Sequence, residues 1–213
     1  MENKLISKSF LWMFIGLLIT FATGIVVASS ERMLLSVFEG WTYIVLAVIE
    51  IAIVIYLSAR VHKMSKNAAR IWFMIYAFVS GLTFSSVFVV YKVTSVIYVF
   101  LISAILFGIF GLMGYKTKFD LTKIGSYLLM ALFGVILCMI VNIFVGNDTL
   151  DLIISIVCVL LFLGITAYDV QKIKKLSDTN LPEDSLAIIG ALELYLDFIN
   201  IFLHLLSIIG DSD

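Results

Sequence analysis

The sequence predicts an all-α integral membrane protein, a single domain of seven transmembrane helices spanning residues 1–213. Three observations carry that expectation. The chain is 62% hydrophobic and 14% charged, with a mean hydropathy of +1.15. Soluble domains are about 45–50% apolar and about 25% charged. Its apolar residues fall into seven runs, each near the roughly 20 residues that cross hydrocarbon. Finally, the Lys and Arg residues alternate from side to side along those runs.

In order, the runs are 9–29, 41–59, 70–91, 95–115, 124–145, 150–171 and 186–209. The first follows Lys4 and Lys8 and ends in VVAS, as a secretory signal would, but it is longer than the roughly 7–15 residues of a signal core, so it reads as a retained helix. The second carries Glu50 at its middle and ends in Arg60, beside His62 and Lys63. Arg60 is placed to snorkel to the interface or to pair with a buried acid, whereas Glu50 has no such exit and should face the interior. In the fourth run Gly108, Gly111 and Gly114 recur every three residues, a pattern of close helix packing. Asn142 in the fifth reads as an interhelical hydrogen-bonding residue. Cys138 and Cys158 lie inside apolar runs and read as small buried hydrophobes, not as a disulfide or a zinc site. The single proline, Pro182, sits in a polar connection, and no internal repeat is visible.

Of the 14 basic residues, 12 fall on connections of one parity and 2 on the other. The positive-inside rule therefore predicts a cytoplasmic N-terminus and places the GDSD tail outside. The net charge of −1 comes with no basic stripe, which excludes a nucleic-acid surface. The expected partner is the lipid bilayer, and the sequence points to no protein partner.

The seventh run, LAIIGALELYLDFINIFLHLLSIIG, contains Glu193, Asp197, Asn200 and His204. Spaced 4, 3 and 4 residues apart, they fall within roughly 60° of one another on a helix. An ionised acid facing lipid there costs about 2.5–3.5 kcal/mol, so this polar seam should face protein or water. That places helix seven at the middle of the bundle. Asp169, in TAYDVQKIKK near the end of helix six, is a second buried acid. For straight helices beginning at the hydropathy boundaries, it lies roughly 10 Å or more from the level of Asp197, so contact between the two does not follow from the sequence.

TAYDVQKIK followed by ALELYLDFINIFLHLL resembles the signature of the Bax-inhibitor family, the transmembrane Bax-inhibitor-motif proteins, and particularly its bacterial YetJ-like members. AFVSGLTFSSVF resembles that family's third helix. The resemblance implies a last helix wrapped by two three-helix layers, in a bacterial plasma membrane. It also implies a pH-sensitive calcium leak governed by an aspartate pair matched to Asp169 and Asp197, which would also be the residues that meet calcium. The family's acid on helix two matches Glu50, and its arginine, a gate partner, matches Arg60 approximately. Glu193 and His204 depart from the bacterial pattern and would join Asn200 and Glu50 along an ion pathway. The 172–185 connection is also a few residues longer.

Two close carboxylates in low dielectric cannot both ionise cheaply, so such a pair can share a proton and titrate as a unit. Deprotonated, it repels itself and attracts a divalent cation. A proton-coupled transporter is the alternative reading, and an intramembrane aspartyl protease a more distant one. Against the protease, Leu194, Tyr195 and Leu196 precede Asp197 where a GxGD pattern would place a glycine, and GxSG is absent. Helix seven also lacks the lysine of a retinal protein. The chain is therefore expected not to be an enzyme and to need no cofactor; its buried acids point to protons and a cation, and the resemblance implies that the cation is calcium.

Overall fold

A computed structural model describes residues 2–177 and 182–211. Residues 178–181, within the 172–185 connection, and the last two residues of the GDSD tail lie outside the described residues. Seven helices among those described are long and apolar enough to cross a membrane. They are α1 (Glu2–Ala28), α2 (Thr42–Arg60), α3 (Lys66–Phe84), α4 (Val93–Lys116), α5 (Thr122–Val145), α6 (Asp148–Leu176) and α7 (Glu183–Ile209). A short helix, Glu31–Phe38, joins α1 to α2, and Val87–Val90 continues α3 past a break at Ser85 and Ser86.

Several of these helices outrun the hydropathy boundaries. α6 continues to Leu176 and α7 starts at Glu183, because polar residues end a hydropathy window without ending the backbone hydrogen bonding that membrane segments require. Local chemistry sets the ends. Ser65 Oγ accepts from Ala68 N at 3.3 Å to start α3, and Asn147 Oδ1 accepts from Leu150 N at 2.9 Å to start α6. Gly146, at φ 64°, takes the left-handed turn that ends α5. α6 carries Asp148 and Asp151 in its first turn and Lys174 and Lys175 in its last, each sign opposing the local end of the helix dipole.

Packing divides the crossings into two groups around α7. In one, α3 lies between α1 and α2. In the other, α6 lies between α4 and α5. α7 packs chiefly on α1 and α6, and also on α4 and α3. Of its most apolar window 72% is buried, against 11% for α2 and 0% for α5, so α7 is the central helix. The core on its α1–α4 side is aromatic: Phe100 meets Phe198 with ring centroids 5.3 Å apart, Phe84 meets Phe202 at 5.6 Å and Phe21 meets Phe100 at 5.0 Å.

Polar ties hold both ends of the bundle. At the end rich in basic residues, Lys8 Nζ lies 2.9 Å from Glu183 Oε1 and 3.2 Å from Asp184 Oδ1, and Arg70 reaches the same Asp184 oxygen at 3.3 Å. Arg70 also stacks over Trp12, 5.2 Å from the ring centre. Outside the membrane segments, Lys175 Nζ donates to Asp120 Oδ1 at 2.6 Å, and this hydrogen bond holds the Asp120 carboxyl well below the usual carboxylate range. At the opposite end Lys92 pairs with Asp211 at 3.0 Å.

Three expectations from the sequence change here. Asn142 bonds across the α5–α6 turn, where its Oδ1 accepts from Asn147 N at 3.1 Å, because it lies one turn from the end of α5 and not at its middle. Cys138 is exposed on α5, while Cys158 is fully buried on α6, because α5 packs only along one edge. Of the three glycines on α4, only Gly114 is pinched. An added Cβ there would overlap the Ala167 carbonyl and lie 2.7 Å from Ala167 Cα, whereas at Gly108 it would meet nothing within 4 Å.

Candidate functional site: a carboxylate cluster between the sixth and seventh helices

The seam on α7 meets α6, and one ion pair marks the register between them. Lys172 Nζ lies 2.5 Å from Glu193 Oε1. The helices run antiparallel, so Asp169, three residues before Lys172, and Asp197, four residues after Glu193, lie one turn beyond that pair at nearly the same height. The offset expected from hydropathy disappears for a geometric reason. α6 ends four residues past Lys172, and α7 begins ten residues before Glu193. The start of α7 therefore projects about six residues, or about 9 Å, beyond the end of α6.

Asp169 and Asp197 are 7% and 3% exposed and lie within electrostatic range of each other. The Thr166 hydroxyl, one turn before Asp169 on α6, donates to the Phe162 carbonyl at 2.8 Å. Asp197 Oδ2 and Glu193 Oε2 are buried with no hydrogen-bond partner among the described residues. Buried polar atoms of this kind are costly and uncommon. Here they mark a place where a proton, a water or a cation would be stabilised. Among the described residues no group of three or more His, Cys, Asp or Glu side chains is arranged to hold a metal. Two aspartates supply fewer oxygens than the six to eight a bound calcium takes.

Further along α7, Asn200 Nδ2 donates to its own Leu196 carbonyl at 2.7 Å, which satisfies it within the helix. His204 Nδ1 lies 3.3 Å from Ser155 Oγ, and Ser155 is 3.5 Å from Ser207 Oγ. Asp151, one turn further along α6, acts on His204 through space. The polar line thus follows the α6–α7 interface from Lys172 to Asp151.

Glu50 belongs to a different place. Thr83 Oγ1 lies 2.7 Å from Glu50 Oε1 and 2.9 Å from the Ser80 carbonyl. Nearby, Tyr195 shares a 2.7 Å hydrogen bond with Thr20 Oγ1 and lies 3.1 Å from Ser80 Oγ. Tyr195 is fully buried and two residues from Asp197, so these groups occupy the other side of α7, facing α1 and α3. Thr20, Ser80, Thr83 and Tyr195 were missed from the sequence. Their only signal was a hydroxyl within an apolar run, which lipid-facing helices also carry.

Arg60 is exposed at the end of α2, and among the described residues it forms no ion pair with Asp169. α2 packs chiefly on α3, and the turn Val61–Lys63 that follows Arg60 packs on α7. The arginine that does engage α7 is Arg70.

A family model and several proteins of known sequence match this chain along most of its length. The family model described as "Inhibitor of apoptosis-promoting Bax1" matches residues 2–213. The "Inner membrane protein YbhL" of Escherichia coli strain K12 is 38% identical over 206 residues, covering 94% of this chain and 88% of that one. A Borreliella burgdorferi protein is 38% identical over 215 residues, covering 98% and 92%. A Deinococcus radiodurans protein is 37% identical over 210 residues, covering 97% and 90%.

Proposed function

This chain belongs to the Bax-inhibitor family, and we propose that it is a pH-sensitive calcium leak of a bacterial inner membrane, gated by Asp169 and Asp197. The observation that carries the proposal is the burial of these two acids at one level of the α6–α7 interface, with Asp197 Oδ2 unpartnered. Two carboxylates facing one another in low dielectric cannot both ionise cheaply, which favours sharing a proton. The shared proton ties α6 to α7. Its loss adds repulsion between the helices and creates a site that attracts a hard divalent cation. Conductance therefore rises with pH. This reading assigns the chain no reaction.

The test is calcium entry into liposomes that hold only the purified protein and an internal indicator, measured across pH. Flux that climbs as pH rises supports the proposal, and flux that is absent or indifferent to pH overturns it. Orientation follows the basic residues, with the Lys172 end of the bundle in the cytoplasm. A cysteine introduced at Ile209 is then labelled by a membrane-impermeant reagent from outside only. Labelling from inside reverses the direction of the pathway.

A further inference from the structure

We propose that Lys172 is a tethered cation occupying the entrance of the carboxylate cluster, and that a permeating divalent ion enters by displacing its ammonium from Glu193. This rests on reading the α6–α7 interface as the ion pathway. The placement comes first. Lys172 and Glu193 lie one turn from the aspartates on the side towards the basic end of the bundle. Their side chains are 38% and 23% exposed, whereas Asp169 and Asp197 are nearly sealed. The ion pair therefore lies between the basic end of the bundle and the two aspartates, on the route an ion from that end would take.

The chemistry of the occupant follows. Lys172 Nζ bonds Glu193, and its charge also faces the Asp169 and Asp197 level one turn away. The remaining titratable group near it is Tyr168, on its own helix. A lysine ammonium is a compact, strongly hydrated charge on a flexible stem, able to leave and return without moving the backbone. An arginine fork would hold the carboxylate more rigidly. Glu193 Oε2 and Asp197 Oδ2, buried and without partners, are oxygens an incoming ion can take up at once. Charge then decides which ion gains from the exchange. A monovalent cation replaces the ammonium one for one. A divalent cation compensates one more negative charge than Lys172 does, so the exchange favours divalents. Lys172 and Glu193 act on the passing ion through this competition, setting its entry and selectivity.

Two measurements test this, and one of them needs no transport. Lys172 in the intact wild-type protein is acylated with a water-soluble amine reagent, and modification is read by mass spectrometry against exposed Lys123. Calcium is expected to increase labelling of Lys172 relative to Lys123, and sodium or potassium at the same ionic strength is not. Labelling indifferent to calcium, or raised equally by monovalent ions, overturns the proposal. In liposomes, Lys172→Met and Lys172→Gln are each expected to raise calcium flux at a fixed pH about two- to fivefold, what an ion pair exposed to this degree can hold back. Exchanging the charges in Lys172→Glu with Glu193→Lys is expected to restore low flux. Unchanged flux in both single variants removes the entrance role, even if labelling responds. If the wild-type protein passes no calcium, the leak reading fails by itself, and the labelling result still decides whether a divalent ion displaces Lys172.

Discussion

Asp169→Asn and Asp197→Asn each flatten the pH dependence of calcium flux, and the double variant adds little to either. Asparagine keeps the size of the side chain and a hydrogen bond, but it removes any state in which both positions are negative. A one-proton switch changes flux by about threefold per pH unit across its midpoint and by up to about tenfold per pH unit below it, and each variant is expected to leave less than about twofold. Flux in the single variants stays at the level of one fixed state across pH. The double variant is non-additive because both residues belong to one unit. Glu193→Gln removes a neighbour held by Lys172 and not a member of the pair, so it shifts the midpoint and keeps the response. The measurement is the liposome assay repeated for all four proteins. Intact pH dependence in both aspartate variants, with its loss in Glu193→Gln, would transfer the sensor to Glu193.

Gly114→Ala carries the largest expected loss of stability. Its methyl group would overlap the Ala167 carbonyl on α6, and a main-chain atom cannot turn aside as a side chain does. Over-packing of this kind costs about 1–3 kcal/mol, and a fall in Tm of the order of 5 °C or more is expected. Gly108→Ala, on the same helix but facing open space, is the control and should leave Tm unchanged. Thermal unfolding of the detergent-solubilised proteins, followed by loss of the monodisperse peak, measures both. Equal Tm values for the two variants would show that α4 and α6 can separate freely at Ala167. The consequence reaches the site, because Ala167 lies two residues from Asp169 and α4 holds that turn of α6 in place.

The two glycines illustrate how far sequence pattern reaches. Gly108, Gly111 and Gly114 are identical in spacing and setting, and only the approach of another helix distinguishes the last. Arginines behave similarly. Arg60 and Arg70 each flank a membrane segment at the basic end, yet only Arg70 reaches an acid on α7. A pattern along one helix has no information about which neighbour comes near it. Hydroxyls are less legible still. Thr20, Ser80 and Tyr195 form a buried hydrogen-bonded group, but one hydroxyl in an apolar run costs little wherever it points, so nothing in the pattern singles it out.

By itself the sequence determined the membrane class, the seven crossings, the polar seam on the last helix and the candidacy of Asp169 and Asp197. Each of these is a local property, a sum of transfer energies over about 20 residues or a periodicity along one helix. Only the tertiary structure decided that the aspartates share a level, that Lys172 holds Glu193 beside them, that Glu50 lies across α7 from the cluster, and that Arg60 stays at the rim. Those facts depend on the height and rotation of one helix against another, and many small packing contacts fix both together. A shift of α7 by one turn would leave every hydropathy window unchanged and would break the site.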